Sequence, residues 1–254
     1  MKIKTHFLLA TALIFTGALN AQLFVSKATI EYEMKANIQK TMGNGSWMDM
    51  IKDVLPTFKT GYFTLTFADN KSVYKFDHWD GKVKLPEFLT KSDEENVWYY
   101  NYDAAKFNMQ KSVWGSNFTI EDSIPVLEWR VTNENRIIAG FNCRKAVAKI
   151  FDSVYVFAFY TDEITIPGGP CSINGLPGTI LGVTIPRLFT SWIATKVMVN
   201  EVKENEIKPI AAKKNYTLKF LKSTVYNQFK DWIVEDNNDE EKQQKNRYIW
   251  TILL

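Results

Sequence analysis

Apolar and polar residues alternate strictly over residues 28–38, near the start of the chain. The apolar positions are Ala28, Ile30, Tyr32, Met34, Ala36 and Ile38, and polar residues separate them. Successive side chains of a strand point to opposite faces of a sheet. This period of two therefore predicts a long strand with one face in water.

Most of the chain from residue 62 to residue 202 has the composition of short strands separated by turns. The segments are rich in aromatic and β-branched residues, and the gaps between them carry Asp, Asn, Ser or Gly. The predicted strands are residues 62–67, 72–76, 82–85, 97–102, 107–114, 127–132, 137–150, 154–160, 179–185 and 192–202. The predicted turns are residues 68–71, 80–81, 133–135 and 152–153, with a helical turn or two around residues 47–55.

Residues 154–160 are apolar on both faces of their predicted strand. Such a strand is either covered by protein on both sides or lines an apolar cavity. Packed cores are the commoner case, so we favour a central strand.

Towards the C-terminus the apolar period changes from two to three and four, which predicts an amphipathic helix. Its apolar positions are Leu218, Leu221, Val225, Phe229, Trp232 and Ile233. A helix of this length is marginal in isolation, so we expect it to lie across the sheet. The acidic run at residues 235–241 is interpreted as a solvated linker, and residues 248–254 as an apolar tail that could add a last strand.

These elements predict an α+β fold, mainly antiparallel β, in one domain. We expect a curved sheet or incomplete β-barrel with the C-terminal amphipathic helix across it, similar to the half-barrel of periplasmic lipoprotein carriers. No internal repeat or Pro-rich linker divides the chain. The predicted domain spans residues 22–254, and its C-terminal helix and tail occupy about residues 216–254.

The N-terminus has the composition of a secretory signal peptide. Lys2 and Lys4 precede an apolar run over residues 7–19, and Ala21 supplies a small residue for cleavage. The run is shorter than the ~20 residues that span a bilayer, and no comparable run follows it. We therefore predict cleavage after residue 21, no transmembrane segment in the mature chain, and a periplasmic or extracellular location.

The charge balance argues against a nucleic-acid partner. The chain has 31 Lys and Arg against 28 Asp and Glu, a net charge of +3, and loss of Lys2 and Lys4 with the signal peptide would lower it by two. Neutralising nucleic-acid phosphates normally requires a much larger basic excess.

Cys143 and Cys171 are the two cysteines, and both follow the predicted signal peptide. Exported chains mature in an oxidising compartment, so we expect a disulfide between them. The alternative is a redox pair, which their spacing disfavours because it is unlike Cys-x-x-Cys.

The segment from Gly168 to Leu181, GGPCSINGLPGTIL, resembles the hallmark of the GLPGLI family of exported bacterial proteins. The upstream pair Glu128-Trp129 and the segment NRIIAGFNCRKA at residues 135–146 are similar to that family's Trp strand and its Ile-x-Gly-Tyr-x-Cys-x-Lys-Ala strand. Two positions depart from the pattern: Thr179 replaces Leu, and Cys171 replaces a common aromatic residue. The family has no settled biochemical activity, so the resemblance implies export more than function.

The core of this motif comprises Gly175, Leu176, Pro177, Gly178, Thr179 and Ile180. Pro177 presets its backbone for the second position of a turn, and Gly178 tolerates positive φ at the third, so the sequence predicts a type II turn. The segment contains no carboxylate, imidazole, amine or thiol. We therefore expect it to shape the fold rather than to perform acid–base or nucleophilic chemistry.

Few residues suit catalysis, and the sequence predicts no metal site and no cofactor. His78 is the only histidine after the predicted signal peptide, which excludes multi-histidine zinc sites. Asp77 and Asp80 flank it, but adjacent strand residues point to opposite faces. Glu121, Asp122 and Glu128 lack a diagnostic spacing for sugar hydrolysis.

Asp122-Ser123-Ile124 and Asp152-Ser153-Val154 resemble the short O-glycosylation sequence of exported proteins in the bacterial phylum of the GLPGLI family. Ser123 and Ser153 are therefore candidate glycosylation sites.

Two function classes follow from the sequence. The first is a non-catalytic binding or accessory module of the cell envelope that holds a lipid-like apolar ligand or a protein partner in the concavity of the sheet. The alternative is a secreted hydrolase, of peptidase or glycosidase type, that uses His78 or a carboxylate pair. The position of His78 bears directly on the second class.

Overall fold

The computed structural model describes residues 25–43, 50–51, 53–199, 202–232 and 238–254. The signal peptide predicted over residues 1–21 lies outside the described residues. Much of the segment around residues 47–55, where a helical turn or two was predicted, also lies outside the described residues, although Met50 and Ile51 are helical.

Eleven strands form one antiparallel sheet in the order β6-β5-β4-β3-β2-β1-β11-β10-β9-β8-β7. Two consecutive meanders thus meet where β1 pairs with β11. Among the described residues the edge strands β6 and β7 do not pair, so the sheet is curved but not closed into a barrel, and the predicted fold class is confirmed. The strands are β1 Ala28–Asn37, β2 Phe58–Ala68, β3 Lys71–Trp79, β4 Val97–Asn101, β5 Lys106–Val113, β6 Ser116–Ser123, β7 Arg130–Ile138, β8 Phe141–Ile150, β9 Val154–Thr161, β10 Thr179–Ile185 and β11 Thr190–Met198.

The helices are few, and the longest lie near the C-terminus. They are α1 Ile38–Met42, α2 Glu87–Glu95, α3 Leu218–Gln228 and α4 Asp239–Leu253, with short 3₁₀ helices at Pro186–Leu188 and Glu204–Glu206. In the described part of the chain, none of these helices has the length and apolar content needed to cross a bilayer.

Several predicted elements are confirmed because their local signals are strong. The period-two segment is β1, and the hairpin β2–β3 turns at Asp69 and Asn70, whose φ values are 49° and 55°. Asn and Asp tolerate this left-handed conformation, which a two-residue hairpin turn needs at both central positions. The amphipathic helix is α3, with the Thr217 side chain capping its N-terminus.

Other element predictions are wrong. Residues 133–135 lie within β7 at an irregularity in its pairing, and the turn is made by Ala139 and Gly140 instead. Residues 82–85 form no strand and lead into α2.

The C-terminal tail, expected as a linker and strand, is helical. The Asn238 side chain accepts a hydrogen bond from the Glu241 amide, and Asp239, Glu240 and Glu241 occupy the first turn of α4. Negative side chains are favourable at a helix N-terminus, so residues 239–241 of the acidic run begin a helix rather than form a linker, while residues 235–237 lie outside the described residues.

Aliphatic and aromatic side chains together fill the face of the sheet that forms the core, called here the inner face. Tyr32, Tyr74 and Trp98 are buried on it in successive edge-to-face contacts, with ring centroids 6.2 and 5.5 Å apart. Residues of α4 cover part of this face: Ile249, Trp250 and Leu253 are buried in the same core.

Candidate functional site

The motif loop, residues 162–178, connects the paired strands β9 and β10 and is itself part of the core. Ile164, Ile166, Ile173 and Leu176 are all buried. A buried loop is stable only if its backbone polar groups are paired. Side chains from several elements meet that need: hydroxyls of Tyr32 and Tyr100 donate to the carbonyls of Ile180 and Cys171 at 2.7 and 3.2 Å, and Trp129 Nε1 donates to the Asn174 carbonyl at 2.9 Å.

The predicted type II turn at Pro177 and Gly178 is wrong; the turn is tighter. The Gly178 amide donates to the Leu176 carbonyl at 2.8 Å, which closes a three-residue turn around Pro177. The Thr179 amide, which a type II turn would direct to Leu176, donates instead to the Ile164 carbonyl at 2.9 Å.

Gly178 lets two backbone segments touch. Its φ is +142°, and a Cβ there would lie 2.0 Å from the Thr161 carbonyl oxygen. The Thr179 hydroxyl donates to the Ile166 carbonyl at 2.8 Å, while Gly175 takes a φ of +89°. The motif residues thus hold the loop against the sheet through close backbone contact at Gly178 and through the Thr179 hydroxyl.

The predicted disulfide is absent: Cys143 and Cys171 are both free and buried. Cys143 lies on β8 with its thiol against the Phe141 carbonyl, whereas Cys171 lies in the motif loop beside Lys111 of β5. The two thiols thus have different neighbours in the core. Burial raises the pKa of each thiol to about 12, so both are protonated and weakly nucleophilic at neutral pH.

His78 lies near the end of β3 with its side chain about half exposed. Its ring stacks on Tyr62 with centroids 4.6 Å apart, and its Nδ1 lies 2.7 Å from Asp77 Oδ2. The two adjacent side chains meet because Asp77 falls at a pairing irregularity, where Tyr62 pairs with His78 and Phe63 with Phe76. The expectation that they point apart is therefore wrong.

Two of the three carboxylates considered for hydrolysis, Glu121 and Asp122, attach the start of α3 to the sheet. Glu121 accepts a hydrogen bond from the Asn215 side chain at 2.6 Å, and Asp122 accepts one from the Leu218 amide at 3.0 Å. Within the described residues, no three His, Cys, Asp or Glu side chains gather where they could hold a metal ion.

The two candidate glycosylation sites lie at the ends of strands. Ser123 is exposed at the end of β6, while Ser153 is half-buried in the β8–β9 turn, where its hydroxyl accepts a hydrogen bond from Arg187 at 3.2 Å. Glycosylation at either residue stays a prediction.

A first cavity, the helix cavity, lies between α3, the motif loop and the inner face. Its volume is about 240 Å³. The apolar lining includes Tyr100, Phe107, Met109, Ile173 and Leu218, and the exposed lysines Lys149 and Lys222 also border it.

A second cavity, the Lys111 cavity, lies where β1, β4, β5 and β11 meet the motif loop. It has a volume of about 120 Å³, and its lining includes Met34, Trp98, Cys171, Leu188 and Trp192. Lys111 also lines it and is only 3% exposed. Burial lowers the pKa of Lys111 from its usual value to about 8.

Lys111 was not predicted as a site residue from the sequence, although its position in β5 carried a signal. Phe107, Met109 and Val113 occupy every second position of β5 and are buried, and Lys111 falls in the same series. An ionisable residue at a core position of a strand is unusual and marks a site worth considering.

Comparison with known proteins adds information on the fold only. No family model matches the sequence, and no curated protein matches it. The fold resembles part of PNGF-II. Two structures of PNGF-II, in the C2 and P21 space groups, match with TM-scores of 0.52 and 0.50 and identities of 13% and 14%.

The PNGF-II matches cover 79% and 77% of this chain but 32% of PNGF-II, so the chain spans about a third of that protein. An uncharacterised conserved protein from Thermus thermophilus matches with a TM-score of 0.37 and 8% identity, over 74% of this chain and 88% of that one. The GLPGLI resemblance stays a prediction.

Proposed function

We propose that the protein is an exported, non-catalytic binding module of the cell envelope, acting in the periplasm or outside the cell, and that it holds a lipid-like apolar ligand. The N-terminal signal pattern and the GLPGLI resemblance support export. The helix cavity is the observation that carries the binding function.

The size and lining of the helix cavity suit a short hydrocarbon chain. A cavity of ~150 Å³ holds a benzene-sized molecule, so 240 Å³ gives room for the end of an acyl chain. Most of the lining is aromatic or aliphatic, which is typical of small-molecule sites. Lys149 and Lys222 at the border would attract an anionic head group, which points to a fatty-acid-like ligand.

Octanoate is a suitable probe because its chain matches the cavity and its carboxylate can reach the border lysines. We expect it to bind the mature protein, with affinity measured by isothermal titration calorimetry. Leu218→Trp would fill the cavity from α3 and weaken binding at least about tenfold. Tyr226→Trp is the matched control, because Tyr226 lies on the same helix and is half exposed.

Equal octanoate affinity in both variants would contradict this site, as would the absence of any octanoate binding. Native mass spectrometry of protein from its own envelope fraction gives a second readout. A co-purifying lipid-like mass supports the proposal, whereas a stoichiometric protein companion would replace the lipid by a protein partner.

A further inference from the structure

The Lys111 cavity carries a second inference, independent of the helix cavity. Lys111 approaches from β5 with its Nζ 4.9 Å from the centre of the Trp98 ring. Among the described residues, no hydrogen bond or ion pair engages that ammonium group. A cation this deeply buried normally has an anionic partner, because burial of an unpaired charge is costly.

The charged groups around the cavity leave Lys111 unmatched. Asp93 of α2 is the nearby carboxylate, but it is ion-paired with Lys59 of β2, whose Nζ also donates to the Leu89 carbonyl at 2.8 Å. Cys171 of the motif loop is a neutral thiol, and the Tyr74 hydroxyl of β3 beside it is neutral as well. Among these side chains, Lys111 is the one without an oppositely charged partner; Leu254, the last residue of the sequence, also lines the cavity, and its oxygen accepts a hydrogen bond from the Ser172 hydroxyl at 2.6 Å.

The walls of the cavity define what kind of anion would fit. Met34, Leu188 and Trp192 are buried and apolar, so the body of the ligand should be hydrocarbon. The volume of about 120 Å³ is smaller than the ~150 Å³ cavity that holds benzene, so the body must be short. A single ammonium group matches a single negative charge better than a doubly charged phosphate.

We propose that the Lys111 cavity binds a small monocarboxylate with a short hydrocarbon body, its carboxylate paired with Lys111 and its body against Met34, Leu188 and Trp192. The aromatic face of Trp98 holds the ammonium in place from the other side. This site shares Leu254 with the lining of the helix cavity but has its own charged group and walls, and its occupant is too small to be the acyl ligand proposed there.

Isobutyrate and isobutyramide test the site in the full mature chain. The two probes have the same shape, and only isobutyrate carries a charge. We expect isobutyrate to perturb the NMR signals of Trp98 and Trp192 and to bind at least about tenfold more tightly than isobutyramide. Its affinity should fall as pH rises above about 8, where Lys111 loses its proton.

Lys111→Met should weaken isobutyrate binding at least about tenfold, because the pairing charge is lost while the side-chain volume is kept. Lys106→Met is the matched control, because Lys106 is exposed on the same strand and lines neither cavity, and it should leave isobutyrate binding unchanged. The comparison of charged and neutral probes on unaltered protein does not depend on whether either variant folds.

Equal affinity for isobutyrate and isobutyramide would overturn the proposal, as would no binding of isobutyrate at concentrations up to about 20 mM. Octanoate binding that depends on residue 218 reports on the helix cavity alone. Failure of one site is therefore distinguishable from failure of the other.

Discussion

Individual residues of the motif loop are constrained by backbone contacts. Gly178 combines a φ that only glycine adopts readily with a backbone oxygen at the position a Cβ would occupy. Gly115, by contrast, has a φ of +77° but open space around its Cβ position. Comparing Gly178 with Gly115 therefore separates the cost of the left-handed backbone from the cost of a steric clash at Cβ.

Gly178→Ala should lower the free energy of unfolding by at least about 4 kcal/mol or prevent folding, because strain and a backbone clash add together. Gly115→Ala should cost only about 1–2 kcal/mol, the penalty for a left-handed conformation. Urea unfolding followed by circular dichroism measures both. Similar costs in the two variants would mean that the loop can move away from Thr161.

Lys111 makes stability depend on pH. Its pKa of about 8 in the folded chain lies below the ordinary value of 10.5, so between these pH values the unfolded chain binds more protons than the folded one. The free energy of unfolding therefore gains a contribution that rises with pH across this window, up to about 3 kcal/mol. Below pH 8 the cost of burying the charge is present in full.

Lys111→Met removes this cost, so the variant should be more stable than the unaltered protein at pH 7, and the difference should shrink towards pH 9.5. Urea unfolding of both proteins at pH values of about 7, 8.5 and 9.5 gives the difference directly. The difference between the two proteins cancels the contribution of the buried tyrosines Tyr32 and Tyr74. Their raised pKa values make the free energy of unfolding fall, rather than rise, as pH increases. A difference that stays constant with pH would argue against a titrating Lys111.

At the scale of elements, the two sheet edges are protected in different ways. On β6, the segment at Tyr216 forms a short parallel bridge: the Tyr216 amide donates to the Thr119 carbonyl at 2.8 Å, and the Glu121 amide donates to the Tyr216 carbonyl at 2.9 Å. On β7, exposed charges such as Glu134 and Arg136 and the pairing irregularity disfavour addition of another strand.

Tyr216→Pro removes the amide that covers Thr119 and should expose the β6 edge. We expect the free energy of unfolding to fall by about 1–3 kcal/mol and the protein to self-associate as concentration rises. Analytical ultracentrifugation measures the association. Tyr216→Phe is the control, because it keeps both the amide and the ring. This variant should have the same oligomeric state as the unaltered protein. If both variants self-associate equally, the cause is loss of the hydroxyl and not loss of the amide.

Local pattern decided which elements could be predicted. Strand β1 was predictable because its alternation runs unbroken, and the β2–β3 turn because Asp69 and Asn70 suit its backbone. Asn133 to Asn135 have the same turn-forming composition, yet they lie in an edge strand, where polar residues face water. Residues 248–254 were ambiguous because a short apolar run fits a buried strand or a buried helix equally well.

For the whole molecule, the sheet and the amphipathic helix could be predicted from the sequence. The identity of the segments that pack against the inner face could not. Which segments cover the inner face depends on contacts far apart in sequence, such as Tyr32 with Ile180 and Ser172 with Leu254. The helix cavity lies where a concavity beneath the helix was expected. Lys111 could have been identified from its place in the β5 pattern, but its unmatched charge depends on the pairing of Lys59 with Asp93.

The unpaired cysteines give a prediction for the molecule as a whole. Reductant should leave the thermal midpoint unchanged, since there is no cross-link to break. Iodoacetamide should label both thiols only after unfolding, because each is buried with a pKa of about 12. Intact mass spectrometry counts the labels, and a mass two hydrogens light that reductant restores would show that a disulfide forms after all.

The pairing of β1 with β11 sets the order in which a growing chain can complete its structure. Glu31 and Thr195, which touch across this pair, are 164 positions apart. A ribosome therefore releases β1 to β6 as a half-sheet in which β1, central in the complete sheet, has one unpaired edge until β11 at residues 190–198 has emerged. Contacts this distant in sequence form slowly, so the nascent half-sheet is the state most in need of a chaperone.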